Sequence, residues 1–338
     1  MRRPKLFLAG HRKSGTTLLL GLLDGHPELC VYPQDPHTLY AYFPQFVREG
    51  IPREDRLARL DRVIFDQLKL KWSAQGWLDR LDIEGMRSRF HQLIEGKDLG
   101  DIGEVLEAQV RAFAHVAGQD DARRAWDVVK ETSIEIYANE LMNAFPGSRF
   151  IHLVRDPRDN YAALKAGLEK YYSRYSDEAN TILASMIHRC GLGMKLASMN
   201  RERLGESSYL ILRHEDVTSD PETEMKRIAE FAGIDYLPGM LIPTVLGHST
   251  RGNNFEKMDM SKVRSVNVGR WRERITADEE KILEFHFTDL MKQYGYECEY
   301  TAREQMDAAS EFYKWSNYRY FYFDHFAQPV RSLAVEEK

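Results

Sequence analysis

The chain has 338 residues, of which 43% are hydrophobic and 29% charged, and its formal net charge is −5. These values are ordinary for a soluble globular protein with room for one large domain or two small ones. The weakly acidic balance favours neither a nucleic-acid partner nor a membrane partner, so an anion site must be built from local charges.

The three cysteines, Cys30, Cys190 and Cys298, are far apart and odd in number. This pattern predicts neither a disulfide framework nor a zinc site and favours a reducing compartment. No apolar run approaches the roughly 18 residues that a membrane-spanning helix needs. We therefore expect a cytoplasmic protein.

Five short runs of apolar and β-branched residues predict buried parallel strands, because the runs are mostly continuous rather than alternating. Helical patterns separate the runs, and strands that alternate with helices imply a parallel sheet with crossover helices. The predicted fold class is α/β, with a parallel sheet flanked by helices. In chain order, the predicted strands are KLFLAG, ELCVY, WDVVK, RFIHLVR and SYLILR.

Helical, highly charged patterns fill the region from about residue 44 to about residue 125. We expect this region to be a helical insertion over the sheet. Later helices carry start signals. Asp220 precedes Pro221, and Thr276 is followed three residues later by Glu279, which is the pattern of a capping box.

The segment GHRKSGTT, residues 10–17, follows the first predicted strand and looks like a phosphate-binding loop. Its glycines have Walker A spacing, but Thr16 stands where that motif has lysine, and Lys13 precedes the second glycine. Backbone N–H groups here are expected to bind an anion, although similar loops also occur without a ligand. The candidate ligands are Arg12, Lys13, Ser14, Gly15, Thr16 and Thr17.

Two further segments offer cations to the same edge of the sheet. In RFIHLVRDPRD, Arg155 ends a predicted strand, where its guanidinium is expected to bind a phosphate. The alternative is an ordinary strand exit with solvated arginines. In KVRSVNVGRWR, a predicted loop carries Arg264, Gly269 and Arg270, and it is either another phosphate grip or a solvated run of charges.

Together these motifs resemble those of the sulfotransferases that use 3′-phosphoadenosine 5′-phosphosulfate (PAPS), over the chain from Lys5 to Tyr296. The K-S-G-T-T run is similar to the family's 5′-phosphosulfate loop, and RFIHLVRDPRD to its 3′-phosphate motif. LRHEDV is similar to its R-Y-E-D-L segment, and VGRWR to its G-x-W region. The resemblance implies a P-loop-like fold, sulfuryl transfer from PAPS to an acceptor hydroxyl, and 3′,5′-adenosine bisphosphate as the product.

The resemblance also implies roles for single residues. Lys13 would stabilise charge on the oxygen that bridges phosphate and sulfur, while Arg155 and Arg264 would bind the 3′-phosphate. Lys130, in VVKET, is similar to a lysine that many members carry on a central strand. Because a sulfuryl group carries less charge than a triphosphate, we expect transfer without a metal. The alternative is a nucleotide or small-molecule kinase that uses ATP and Mg²⁺.

Two departures from the family pattern are visible. Ala163 stands where many members have a serine eight residues after the phosphate arginine, which should weaken PAPS binding without abolishing it. Leu18 stands where cytosolic phenol and steroid members have tryptophan. The chain is therefore more similar to heparan-type and tyrosyl-protein sulfotransferases.

An acceptor hydroxyl needs a general base near the transferred group. In those two subgroups a glutamate has that role, and Asp35 in Q-D-P-H is the matching residue. Asp35 would need its pKa raised to act efficiently, whereas the reference pKa of its rival, His37, is about 6.5 and suits the task directly. Asp35 is alternatively a turn residue before Pro36. The acceptor stays open: a sugar, a peptide tyrosine, a lipid or a small metabolite.

The aromatic segment EFYKWSNYRYFYFDHF, residues 311–326, predicts a helix with an aromatic stripe. We expect the stripe to pack on the core or a partner subunit; the alternative is that it lines an acceptor cleft, and a homodimer is possible. We expect residues 1–300 to form one domain and residues 301–338 a C-terminal helical extension packed on it.

Overall fold

A central sheet organises the computed structural model, which describes residues 2–41, 51–119, 123–167, 179–249 and 262–314. The strand order is β2-β3-β1-β4-β5, and all neighbouring strands in this sheet are parallel. The strands are β1 (Lys5–Ala9), β2 (Leu29–Val31), β3 (Trp126–Lys130), β4 (Arg149–Val154) and β5 (Tyr209–Arg213).

Helices flank the sheet, so the predicted fold class is confirmed. A two-stranded antiparallel hairpin, β6 (Thr244–Val245) and β7 (His248–Ser249), follows the central sheet in the chain. The helices are α1 (Thr16–Leu23), α2 (Thr38–Ala41), α3 (Arg53–Asp61), α4 (Gln67–Gln75), α5 (Ile83–Ile94), α6 (Ile102–Val116), α7 (Ala138–Ala144), α8 (Pro157–Lys165), α9 (Ala179–Leu204), α10 (His214–Ser219), α11 (Pro221–Ala232), α12 (Ala277–Gln293) and α13 (Ala302–Phe312).

Alternate residues of β1 belong to different cores. Phe7 packs in a cluster with α5 and α6, whereas Leu6 and Leu8 pack in a cluster with α1 and α11. All five residues of β1 are buried, which is why this strand has a continuous apolar run with no polar alternation. A third cluster joins α8, α9 and α12.

The region between β2 and β3 is helical where the structure describes it. A π-helical turn, Arg62–Asp66, joins α3 to α4, and α5 and α6 follow. Residues 42–50 and 120–122 lie outside the described ranges. The division of the chain at residue 300 stays a prediction, although α13 packs against α12 through a buried Phe312. Most of the aromatic segment, from residue 315 onward, also lies outside the described ranges.

The predicted helix starts are confirmed with one adjustment. Asp220 accepts the backbone N–H of Thr223 at 3.2 Å, and Thr276 and Glu279 form both bonds of a capping box. The helical pattern IEIYANELMNAF, residues 134–145, which precedes the predicted strand RFIHLVR, begins as a 3₁₀ turn and becomes α-helical only at Ala138.

A buried ion cluster lies under the start of β1. Lys5 is fully buried and forms ion pairs with Asp127 of β3 and Glu107 of α6. Arg124 also pairs with Asp127. Removing one member of such a cluster leaves a buried charge with fewer partners.

We expect Lys5→Met to lower the free energy of unfolding by about 3 kcal/mol, since Asp127 would stay buried with Arg124 alone. Urea denaturation would measure the loss. Lys226→Met removes an exposed pair with Glu222 and should leave the midpoint nearly unchanged. Equal effects of the two substitutions would contradict a structural role for the buried cluster.

Candidate active site

Polar residues lie at one edge of the sheet, where the strands end. Because all five are parallel, their carboxyl ends meet at the same edge, where ligands bind in folds of this kind. In the register, Leu8 of β1 lies beside Lys130 of β3 and Ile151 of β4. The segments that leave these three strands therefore start side by side.

The loop between β1 and α1 is tightly folded. Ser14 donates both its backbone N–H, at 3.1 Å, and its hydroxyl, at 2.6 Å, to the carbonyl of His11. Lys13 and Gly15 have left-handed φ values of 67° and 100°. Gly15 starts α1 without a side-chain cap among the described residues, so the first N–H groups of the helix suit an anion.

The other loop residues have different surroundings. Arg12 donates to the hydroxyl of Ser185 on α9 at 3.0 Å, which directs its guanidinium toward that helix. Thr16 is buried in the first turn of α1, and Thr17 beside it is half-buried. The hydroxyl of Ser14 already donates to His11, so its remaining capacity toward a ligand is as an acceptor.

Three cations meet around this loop. Arg155, at the end of β4, donates to the carbonyl of Lys13 at 2.7 Å and to the carbonyl of Asn267 at 3.0 Å. Burial, together with the charges of Lys130 and Arg155, lowers the pKa of Lys13 to about 8. Cationic side chains therefore surround this loop in a chain whose overall charge is negative.

Asp35 is the carboxylate among these cations. Lys130 donates to both of its oxygens, at 2.7 and 2.9 Å, and the N–H of Thr132 donates at 3.2 Å. Burial by itself would raise the pKa of Asp35, but the charges of Lys130 and Lys71 hold it below its usual value. Asp35 is thus present at the predicted place, with a pKa shifted opposite to what an efficient base needs.

His37 lies beside Asp35 in an uncommon backbone conformation. Its φ of 59° is left-handed, and its N–H donates to the carboxyl of Glu131 at 2.9 Å. Burial lowers the pKa of the imidazole, against an opposing effect of Asp35. The lowered pKa keeps the ring neutral near pH 7 and makes it a weaker proton acceptor than an ordinary histidine.

The predicted 3′-phosphate loop near residue 269 is anchored to α8. The carboxylate of Asp159 accepts the N–H of Gly269 at 2.6 Å and the N–H of Trp271 at 3.0 Å. Gly269 has a φ of 74°, so its place in the pattern has a conformational reason. Arg270 is half-buried at the start of a 3₁₀ turn, and Arg264 is exposed.

The structure also places residues that sequence reasoning missed. Glu131 and Thr132 follow Lys130 at the end of β3 and contact the Asp35 segment. Their signal was in the sequence, because VVKET carries two polar residues directly after an apolar strand. Lys71 of α4 acts on Asp35 from the helical region, and Asp159 anchors the Gly269 turn; nothing in the local sequence around either residue predicts this.

Ala163 and the cysteines complete the predicted positions. Ala163 is half-buried on α8. Cys30 and Cys190 are buried, Cys298 is exposed, and all three are free thiols. Within the described ranges no helix is long and apolar enough to cross a membrane, and no group of three His, Cys, Asp or Glu side chains is arranged to hold a metal ion.

Sequence comparison decides the family. The sequence pattern of the sulfotransferase family matches residues 4–238. The chain belongs to this family. It is 22% identical over 311 residues to the omega-hydroxy-beta-dihydromenaquinone-9 sulfotransferase Stf3 of Mycobacterium tuberculosis. That alignment covers 87% of this chain and 76% of the relative. It is 23% identical over 313 residues to protein-tyrosine sulfotransferase A of Caenorhabditis elegans, and this alignment covers 87% of this chain and 67% of the relative.

Solved structures confirm the predicted P-loop-like fold. The sulfotransferase domain of the Synechococcus PCC 7002 olefin synthase superposes with a TM-score of 0.59 at 20% identity, over 88% of this chain and 97% of that domain. The sulfotransferase domain of the curacin biosynthetic pathway superposes with a TM-score of 0.53 at 16% identity, over 88% of this chain and 99% of that domain. The predicted enzyme class, a sulfotransferase, is confirmed with the family.

The sulfotransferase's opening loop makes a steric prediction. A Cβ at Gly15 would overlap the imidazole of His214, which follows β5, in addition to the strain of a left-handed φ. We expect Gly15→Ala to lower the free energy of unfolding by about 3 kcal/mol, combining backbone strain with overpacking.

Gly25→Ala is the matched control, because Gly25 has a φ of 81° but open space around its Cβ position. It should cost about 1 kcal/mol through strain alone. Thermal unfolding of both variants measures the difference. A Gly15 variant as stable as the Gly25 variant would mean that His214 does not press on the loop.

Proposed function

We propose that this sulfotransferase moves the sulfuryl group of PAPS to an acceptor hydroxyl. The observation that carries the proposal is the meeting of Lys13, Lys130 and Arg155 around the uncapped start of α1, where Asp35 pairs with Lys130. Such a site suits a donor with several negative charges. The family membership and the named relatives support sulfuryl transfer itself.

The donor's two anionic ends have separate candidate ligands. The loop N–H groups and Lys13 would bind the 5′-phosphosulfate, and Arg155 and Arg264 the 3′-phosphate. Arg155 lies between the β1–α1 loop and the segment that carries Asn267, which supports a role where the two meet. Its Nε is buried without a partner among the described residues and leaves one donor for a ligand. Gly269 and Arg270 belong to the same 3′-phosphate side.

The transfer step uses the residues around Asp35. The acceptor oxygen attacks sulfur in line, Lys13 stabilises the charge that develops on the departing phosphate oxygen, and no metal takes part. Asp35 accepts the acceptor's proton, with His37 as the rival base. A bound sulfuryl group also attracts Lys130, and a weaker pair between Lys130 and Asp35 raises the pKa of Asp35 when a base is needed.

The acceptor, the cellular location and the oligomeric state are proposed on separate observations. The relatives are named for a hydroxylated dihydromenaquinone and for protein tyrosine, and both acceptors present hydroxyl groups. We propose an acceptor of the same chemistry. Three free thiols support a reducing, cytoplasmic location. A homodimer stays a prediction.

Calorimetry with 3′,5′-adenosine bisphosphate tests the donor. We expect it to bind more tightly than adenosine 5′-monophosphate or ATP with Mg²⁺. Arg155→Ala should weaken its affinity about 10- to 100-fold, because a charged hydrogen-bond partner of the 3′-phosphate is lost. Arg201→Ala, which removes an exposed arginine of α9, should change nothing. Unchanged affinity in the Arg155 variant, or tighter binding of ATP with Mg²⁺, would refute the donor assignment.

The pKa of Lys13 sets a pH limit. Lys13 is needed as a cation, and its proton leaves the free enzyme near pH 8 rather than near the usual lysine value. We therefore expect kcat/KM for PAPS to fall about tenfold per pH unit above pH 8. The assay is transfer of labelled sulfate from PAPS to a pool of phenols, sugars and alcohols.

Lys13→Ala should lower that transfer at least about 100-fold and remove the alkaline limb. Lys195→Ala, an exposed lysine of α9, is the control and should keep both the rate and the limb. Retention of wild-type transfer by the Lys13 variant would remove this lysine from the mechanism.

A further inference from the structure

A second carboxyl group lies against the base. Glu131 directly follows Lys130 and is only 1% exposed. Its Oε2 accepts the N–H of His37 at 2.9 Å, so it holds the backbone two residues beyond Asp35. The mechanism proposed above leaves this group unused, yet its burial makes its charge state consequential.

The contacts of Glu131 do not compensate a negative charge. Oε1 is buried and has no hydrogen-bond partner in the ranges that the structure describes. No ion pair of Glu131 occurs there either, because the ammonium of Lys130 contacts both oxygens of Asp35. An ionised carboxylate with one N–H donor and no cation is costly to bury.

Burial raises the pKa of the Glu131 carboxyl, and Asp35 is close enough to Glu131 for its charge to raise that pKa further. Ionised carboxylates only accept hydrogen bonds, so a bond between two of them requires one proton. Asp35 has the ammonium of Lys130 and the N–H of Thr132, which favour its ionised form. Glu131 has the N–H of His37 alone. The proton therefore belongs on Glu131.

We propose that Glu131 retains a proton, donates a hydrogen bond through it to Asp35, and so acts as a positioning residue for the proposed base. The pair then carries one negative charge, located on Asp35. This proposal rests on the proposed function for the role of Asp35. When Asp35 takes the acceptor's proton, the pair holds two protons, and Asp35 returns one to solvent after the product leaves.

A neutral Glu131 has two consequences for transfer. Its O–H and the N–H of His37 fix the Asp35 segment from one side while Lys130 fixes it from the other. A second negative charge beside Asp35 would repel the anionic sulfuryl donor, and a protonated Glu131 avoids that repulsion.

Electrostatics agree with the geometry. Burial, and then the charge of Asp35, raise the pKa of Glu131 well above its usual value, while Lys130 opposes the shift. The titratable groups that act on Glu131, or on which it acts, come from four parts of the fold. They are Asp35 and His37 after β2, Lys130 of β3, Lys71 of α4, and Tyr32 beside β2.

Thermal unfolding across pH tests the proton directly and needs no acceptor. The pKa of Glu131 is higher in the folded state than in the unfolded chain, so the wild type loses stability as pH rises from about 4.5 toward the folded-state value. Glu131→Gln keeps a neutral donor and acceptor and lacks this loss. The Tm of the variant minus the Tm of the wild type should therefore increase from pH 5 to pH 8.

The control for unfolding is Glu140→Gln, which alters an exposed carboxyl on α7 and should give a difference that is flat with pH. The infrared difference spectrum of wild type minus Glu131→Gln at pH 7 should contain a protonated carboxyl band. The spectrum of wild type minus Glu140→Gln should lack this band. An ionised carboxylate band in its place, or a Tm difference that falls with pH, overturns the proposal.

Transfer kinetics test the positioning role. With labelled PAPS and the acceptor pool described above, kcat of Glu131→Gln should exceed that of Glu131→Ala at least tenfold, because only glutamine can still donate to Asp35. Equal losses in the two variants would overturn the role. If the wild type transfers no sulfate, the proposed function fails, whereas the unfolding and infrared results still decide whether Glu131 carries the proton.

Discussion

The candidate active site depends on keeping Lys13, Lys130 and Arg155 close together although like charges repel. The lowered pKa of Lys13 reflects that repulsion as well as burial. Backbone carbonyls of Lys13 and Asn267 hold the guanidinium, and Asp35 holds the ammonium of Lys130. The packed sheet supplies the stability that offsets this arrangement. A polyanionic ligand relieves the repulsion, so binding should stabilise the fold and the loop together.

The same charges govern Asp35, the proposed base. With no anion bound, Lys130 and Lys71 hold the pKa of Asp35 low, which makes it a weak acceptor of protons. A neutral Glu131 matters in this balance, because a second carboxylate would cancel part of the positive potential that attracts the donor. Donor and acceptor chemistry are thereby connected through one ammonium, that of Lys130, which contacts Asp35 and lies near Lys13.

Sequence reasoning recovered the parts of the molecule that depend on local pattern. The five strands of the central sheet were predicted, because buried parallel strands are continuous apolar runs, whereas the short β6–β7 hairpin was not; the K-S-G-T-T loop follows from spacing. The partners of each side chain were not predicted. Glu131 is adjacent to Lys130 in the chain, but its contact with His37 joins the segments that follow β3 and β2, which are distant in sequence. The left-handed φ of Lys13 and the attachment of Arg155 to backbone carbonyls likewise follow from tertiary packing.

The two arginines of R-D-P-R-D show how packing assigns different roles within one motif. Both arginines are buried. Arg155 contacts the β1–α1 loop, whereas Arg158 pairs with Asp156 and Glu284 and stacks on the ring of Trp271 at 4.2 Å. Glu284 of α12 also accepts the backbone N–H groups of residues 299 and 300 and the side-chain N–H of Gln305 on α13. The Gly269–Trp271 turn is thus held by Asp159 and Arg158 of α8, and Glu284 of α12 fixes Arg158 in turn. Arg270 starts from this turn, and Arg264 lies a few residues before it, so their positions depend on helices outside the sheet.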